Sequence, residues 1–515
     1  MSNSITRTAR GLFLSSAIVF APLSGAVLAQ SDPLAQSEPG RFVDMLRPRV
    51  WTGDEEVRYS LEERMADYRV PGVAVAIIDD GEVIFASGFG VLQAGTNDRV
   101  DADTVFSAGS VSKIATASLV LALANDGALD LDAPVSTQLT SWSLPDHAEY
   151  DDDRVTLRAI LSHTAGFNMH GFSDFEPDDE LPSTIETLEG RSPAGNDPLE
   201  LLFEPGSAYK YSGGGYTLAQ QIIDDTDVSA NFDTIAEARL LTPLGMTRSR
   251  FTNPLPSDHG NIAMAHNRDG EPVALPRGYQ AMPERAASGL WTSASDLAAL
   301  VAALLGSYRS DEGFLPRAVA HDMMTPVTPS EHGLGPRIEP RGNDFIFHHG
   351  GVNDSYHAWI EGHPASGAGL VVLTNGRGGN GLITEIRNAV ADVMDWQVNQ
   401  PVRVPELAIA PEQLADYAGW YRVDADFPYA FRRQMTRGIF DQRLQIQATD
   451  GRLTMTVEGS DGAILLVPMT PSRFWIEGFG LRVGIAELEF HRNAHGETEA
   501  ATFHLSNASS HYVRD

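Results

Sequence analysis

The chain is 515 residues long, more than one ordinary core requires, and length alone predicts roughly two to four domains. With 42% hydrophobic and 21% charged residues it is composed like a folded globular protein, which excludes a disordered or collagen-like chain. A formal charge of −32 makes nucleic acid an unfavourable partner, and the absence of cysteine excludes disulfides and thiol chemistry.

Residues 1–29 have the layout of a secretory signal peptide. Arg7 and Arg10 precede a mostly apolar run over 11–25, and Ala26-Val27-Leu28-Ala29 offers a cleavage site near Ala29. That run falls short of the ~20 apolar residues of a membrane span, and no later segment is long and apolar enough. The expectation is an exported protein, periplasmic or extracellular, without a membrane span.

Beyond a polar leader, residues 72–78 and 82–86 read as strands joined at Asp79-Asp80-Gly81, a hairpin turn signal. Residues 111–124 are apolar almost all round and read as a buried helix, stopped by Asn125, Asp126 and Gly127. The stretch 170–197 is acidic, contains proline and is weakly periodic, so it reads as a long loop of the kind that walls an active site. Residues 345–347, 357–360 and 369–374 read as successive antiparallel strands before a helix over 381–396.

The texture then changes. Pro401, Pro405 and Pro411 mark a linker over 401–411 between a first domain, 50–400, and a second, 412–515. In the second domain short β-rich runs recur at 444–447, 453–457, 464–467, 474–476 and 501–505. Asp450-Gly451 and Asp461-Gly462 separate some of them, the pattern of an all-β barrel or sandwich.

Among 37 basic residues only two are lysines, Lys113 and Lys210. Arginine stays protonated, whereas a buried lysine amine can lose its proton, so a surviving lysine is a candidate for chemistry. In Ser110-Val111-Ser112-Lys113, a helix starting at Ser110 puts both side chains on its first turn. Negative charge is favoured there, and a desolvated lysine can take the proton of a neighbouring hydroxyl. A plain N-cap serine is the alternative.

The glycine-rich stretch from Pro205 to Tyr216 sets tyrosines beside Lys210, where one can relay a proton or simply pack in a turn. His348-His349-Gly350-Gly351-Val352-Asn353 closes a strand with glycines that let a ligand approach the backbone. No metal-ligand spacing accompanies the histidines, and no metal or organic cofactor is expected. The Gly-x-Ser-x-Gly elbow of α/β-hydrolases and the glycine signatures of nucleotide binding are both absent.

Taken together, Ser110-Val111-Ser112-Lys113, Tyr211-Ser212-Gly213 and His349-Gly350-Gly351 resemble, in order, the three motifs of the serine β-lactamase, penicillin-binding and related esterase superfamily. The resemblance is to its class C-like branch and covers roughly 58–396. Leu161-Ser162-His163-Thr164-Ala165-Gly166, Leu244-Gly245-Met246 and Ala287-Ser288-Gly289-Leu290-Trp291-Thr292 also look like that branch. The tail from Leu414 resembles the lipocalin-like barrel appended to some peptidase members.

What the resemblance implies is an α/β sandwich: an antiparallel sheet flanked by helices, a helical region beside it, and a C-terminal barrel. Ser110 would be the nucleophile, Lys113 the base or proton shuttle, and Tyr211 the group that protonates the leaving group. The N–H groups of Ser110 and Val352 would form the oxyanion hole, with His349, Gly350, Gly351 and Gly213 lining the substrate. Gly213 stands where Asn or Ser is usual, and His349 replaces a lysine, removing a fixed positive charge. A small-molecule ester, amide or peptide substrate is expected, and both departures favour ester or amide substrates without an obligatory carboxylate over the β-lactamase or DD-peptidase alternative. A catalytically silent envelope protein binding peptidoglycan fragments is the reading from another class. The barrel is expected to shape or block one end of the cleft.

Overall fold

Alternation in two directions along four apolar strands sets the architecture. The computed structural model describes residues 37–52, 55–145, 149–404, 407–424, 442–460, 462–477, 486–505 and 508–515. The expected signal peptide lies outside them, as do Pro405 of the expected linker and Asp461 of one expected turn. In chain order come β1 (Val50–Thr52), α1 (Leu61–Tyr68), β2 (Gly72–Asp79), β3 (Glu82–Gly90), the two-residue β4 (Phe106–Ser107) and α2 (Ser112–Asn125). The helical region follows with α3 (Leu157–Leu161), α4 (Thr184–Glu189) and α5 (Gly213–Asp224). The chain then returns through β5 (Trp291–Thr292) and the helix Ala294–Arg309. Next are β6 (Arg337–Arg341), β7 (Asp344–Asn353), β8 (Tyr356–His363) and β9 (Ala368–Thr374), before the helix Gly379–Val393 and β10 (Val402–Val404).

Six of these strands form one antiparallel sheet in the order β3-β2-β9-β8-β7-β6. Successive side chains of a strand point to opposite faces. Ala74, Ala76, Ile78, Val371, Leu373, Ala358 and Ile360 therefore enter the core shared with α2 and the helix Ala294–Arg309. Val73, Val75, Ile77, Leu370, Val372 and Trp359 enter a second core, against the helix Gly379–Val393. A sheet buried on both faces needs near-continuous apolar strands, as in GVAVAII. The same logic explains α2, which is wrapped by packed elements and buried at eleven of its fourteen positions.

The stretch expected as one loop, 170–197, contains α4. Its N-terminus is a capping box in which Ser183 Oγ accepts from Glu186 N–H and the Glu186 carboxylate accepts from Ser183 N–H.

The C-terminal region is a closed barrel of β11 (Gly419–Val423), β12 (Leu444–Thr449), β13 (Arg452–Val457), β14 (Ile464–Pro468), β15 (Arg473–Ile476), β16 (Ala486–Arg492), β17 (Thr498–Leu505) and β18 (Ala508–Arg514). Each strand pairs with the next, and β11 pairs with β18 to close the ring. Within 401–411, β10 is a strand paired in parallel with β1 rather than a bare linker. Val50 and Val404 of this ribbon pack against Trp475 of the barrel.

Candidate active site

Ser110 sits on a single tight turn, 109–111, that leads directly into α2. The turn is held from several sides. β4 pairs with β5 just upstream, and Ala108 N–H donates to Leu290 O at 2.9 Å. Ser112 Oγ donates to Gly109 O at 2.6 Å and accepts from Leu290 N–H at 2.9 Å. Asn353 Nδ2 donates to Ser107 Oγ at 2.6 Å and to Ser288 O at 3.1 Å, which ties the end of β7 to the same turn. A side chain on so constrained a turn keeps its position, which a reacting group requires.

Lys113 is only 2% exposed. Its Nζ lies 3.3 Å from Ser110 Oγ and donates to Ala287 O at 2.7 Å. No carboxylate pairs with it among the described residues, and burial pushes its pKa down to about 7. The Tyr211 ring centroid is 5.0 Å from Nζ, and the Tyr211 hydroxyl hydrogen-bonds with Ser110. Burial pushes Tyr211 up to about 12, with the Ser110 bond opposing, so the phenol is protonated at neutral pH. An amine that titrates near neutrality and a protonated phenol therefore flank one serine hydroxyl.

His163 positions Tyr211. It adopts a left-handed conformation (φ 61°), its ring lies 4.3 Å from the Tyr211 ring, and its Nδ1 accepts the Ser212 N–H at 3.1 Å. Burial and the nearby Lys113 hold its pKa well below the ordinary range, so the ring is neutral and Nδ1 serves as an acceptor. His332 and Tyr209 complete the packing around it. His163 belongs to a stretch that the sequence singles out by resemblance, without a role. His332 carries no sequence signal.

The third motif reaches the serine through its glycines. Pairing between β6 and β7 ends at His348, and the Ser110 turn packs against the stretch beyond. A Cβ on Gly351 would stand 1.9 Å from Ala108 O, so only glycine allows this approach. It would also lie 3.1 Å from Ser110 N, and a Cβ on Gly109 would lie 2.6 Å from Val352 N. The two amides expected as oxyanion donors thus flank one glycine-lined contact. Val352 leaves 47% of its surface exposed on the cleft wall. His349 Nδ1 donates to Gly350 O at 2.7 Å, and its ring faces Tyr211 at 6.2 Å.

Gly213 is explained by its neighbours. A Cβ there would meet the Phe172 ring at 2.8 Å and His170 O at 3.0 Å, so the preceding loop fills the space an Asn or Ser side chain would need. Ser212 instead caps α5, its Oγ accepting from Gly215 N–H at 3.1 Å.

These residues open onto a cleft of about 1070 Å³. Ser110, Lys113, Tyr211, His349, Gly350 and Val352 line it, whereas Gly351 and Gly213 act from behind the wall. Arg337 also lines the cleft; it donates to Tyr209 Oη at 3.4 Å and pairs with Glu331 at 2.8 Å. Sequence reasoning overlooked it, because only the register Arg337↔His348 brings β6 alongside the third motif. A cation, paired with Glu331, thus reaches the cleft from another strand. No described barrel residue lines the cleft. Among the described residues, no cluster of His, Asp or Glu could hold a metal, and no helix is long and apolar enough to cross a membrane.

An antiparallel sheet flanked by helices, with a Ser-x-x-Lys turn where it meets a helical region, defines the β-lactamase/transpeptidase-like class. The beta-lactamase family model matches residues 57–394, and the chain belongs to that family, whose members are serine hydrolases. Penicillin-binding protein 4 of Amycolatopsis lactamdurans is 31% identical over 213 residues, 41% of this chain and 53% of the relative. A beta-lactamase of Lysobacter lactamgenus is 30% identical over 252 residues, 48% of this chain and 60% of the relative. The matched stretch thus spans between about half and three-fifths of these relatives' lengths. The octameric penicillin-binding protein homologue of Pyrococcus abyssi shares the fold, with a TM-score of 0.56 at 21% identity over 88% of this chain and 98% of that one.

Proposed function

We propose that this chain is an exported serine hydrolase that cleaves an ester or amide bond through an acyl-enzyme on Ser110. The observation that carries the reading is Lys113, buried without a carboxylate partner among the described residues, 3.3 Å from Ser110 Oγ and poised near neutral pH. A base is most effective when its pKa is close to the working pH.

In this mechanism neutral Lys113 takes the Ser110 proton as Oγ bonds to the substrate carbonyl carbon. The oxyanion sits between the N–H groups of Ser110 and Val352, each worth ~3 kcal/mol of transition-state stabilisation. Tyr211 passes a proton to the departing amine or alkoxide as its bond to the carbonyl breaks. Water then adds to the acyl carbon, the same groups return the proton to Ser110, and the acid leaves. Gly350 keeps the wall flat beside the substrate, Gly351 lets that wall approach the Ser110 turn from behind, and His349 bounds the leaving side.

Arg337 favours a second reading within the same chemistry: a substrate whose leaving portion carries a carboxylate, as a peptide or β-lactam does. The test is turnover of an activated short-chain ester, a D-alanyl amide, a D-alanyl peptide and a penicillin by wild type and Ser110→Ala. Serine-dependent turnover of any member supports the hydrolase, and the best member chooses the substrate class. No turnover and no adduct with any of them would leave the binding-protein alternative.

A further inference from the structure

Two arginines of one short stretch meet different surroundings. Arg47 is fully buried and fully served: Nε and Nη2 each donate to the Asp392 carboxylate at 2.6 Å, and Nη2 also donates to Asn399 O at 3.2 Å. Arg49, two residues on and partly buried, has a buried Nε without a hydrogen-bond partner. No carboxylate pairs with it among the described residues; the acidic group it feels most, Glu339, acts only through space. In a chain with 69 acidic residues against 37 basic ones, a shortage of carboxylates does not explain this.

Two more donors are in the same condition. Val50 points into the barrel contact with Trp475, so its neighbours Arg49 and Trp51 in the extended ribbon point the other way. The Trp51 indole Nε1 is buried without a partner. On the sheet edge β6, Arg341 pairs through Nη2 with Glu339 at 2.7 Å, but its buried Nε has no partner either. Burial first, and then the neighbouring Arg341, push the Arg49 pKa down, the direction expected of a cation held without its counter-ion. The other cations nearby, Arg387 and Arg47, are each paired at 2.6 Å, with Glu361 and Asp392. Arg49 and Arg341 against Glu339 therefore leave one positive charge uncompensated.

The arrangement is complementary to an oxyanion. A guanidinium presents Nε and one Nη along a common edge, which matches two oxygens of a carboxylate or a phosphate. We propose that Arg49, Trp51 and Arg341 form a binding site for a small oxyanion, a carboxylate or a phosphate, where the ribbon of β1 and β10 meets the edge of the sheet. One negative charge there neutralises the surplus and gives the three unpartnered N–H groups an acceptor. The site is separate from the Ser110 cleft. None of its three residues lines that cleft, and Arg341 stands four residues, ~13 Å, along β6 from Arg337, which does.

The test is titration calorimetry of the full chain with sodium phosphate and sodium acetate, against sodium chloride at equal ionic strength. Saturable binding of at least one of the two oxyanions is expected, and the tighter one tells the tetrahedral ion from the carboxylate. Arg49→Gln and Arg341→Gln should each weaken that binding by about tenfold or more. Trp51→Phe, which keeps much of the shape and removes one N–H, should weaken it by about fivefold. Arg452→Gln, at an exposed arginine of the barrel, should leave it unchanged. No saturable binding of either oxyanion overturns the site. So does an affinity that survives in both arginine variants, since the ion is then held elsewhere. Should the arginine variants fail to fold, an unchanged affinity in Trp51→Phe overturns the site by itself.

Discussion

Inside the barrel, Leu444, Ile446, Met455, Leu488, Phe490 and Phe503 fill the interior, and the hydroxyls of Tyr417 and Tyr421 beside them are hydrogen-bonded. Tyr417 Oη donates to Pro471 O, and Tyr421 Oη to Tyr417 O, each at 2.8 Å. Around Ser110 the same burial encloses Lys113, His163, His332 and Glu284, none held by an opposite charge among the described residues. Buried charge is not itself the difference. Glu361 and Arg387, equally buried, pair at 2.6 Å with Trp359 donating to the same carboxylate, and Glu361 is held well below the usual range despite its burial. Paired charges are fixed in one protonation state, whereas buried titratable groups without an opposite charge retain the capacity to exchange protons or bind.

The strongest way to break this contrast is at Ser110. Ser110→Ala should lower turnover of any substrate by ~10³-fold or more, measured against wild type at saturating substrate. Lys113→Met should cost ~10²–10⁴-fold in kcat/KM. It should also change stability in a defined direction. The folded pKa of about 7 lies below the ordinary 10.5, so between those values the unfolded chain binds more protons and wild-type stability rises with pH. Subtracting the Lys113→Met unfolding curve isolates that slope, which should vanish below about pH 7.

Gly351→Val should cost ~10²–10³-fold in kcat, because a Cβ 1.9 Å from Ala108 O drives β7 away from the serine turn and misplaces the Val352 amide. At the mild end, Phe490→Ala should destabilise the barrel by ~3–5 kcal/mol in denaturant melts while kcat/KM changes by no more than about twofold. A large loss of activity there would mean that the two regions are coupled through the contact of Trp475 with Val50 and Val404.

Much of this was legible in the sequence where the signal is local. The Asp79-Asp80-Gly81 hairpin, the all-apolar α2 and the three motifs are each written within a dozen residues. The capping box at Ser183 and Glu186 was legible too, but the acidic composition around it masks the short α4. In the barrel β11, β16 and β18 lack the clean apolar runs of their neighbours, and only ring closure reveals them. Gly213 reads as a lost substrate contact until Phe172 is seen occupying the space. The acidic stretch from residue 170 was legible as a cleft wall, whereas Arg337 and Gln280 were not, because strand register and a loop bridge bring them to the cleft from distant parts of the chain.

The central claim is that a lysine neutral near pH 7 activates Ser110. Its most direct test is the rate of covalent labelling by a fluorophosphonate between pH 5 and 9, with the modified peptide identified by mass. The account predicts one label per chain on Ser110, at a rate that rises about tenfold per pH unit below about 7 and then levels. A label on another residue, or a rate on Ser110 that is flat across this range, would contradict it.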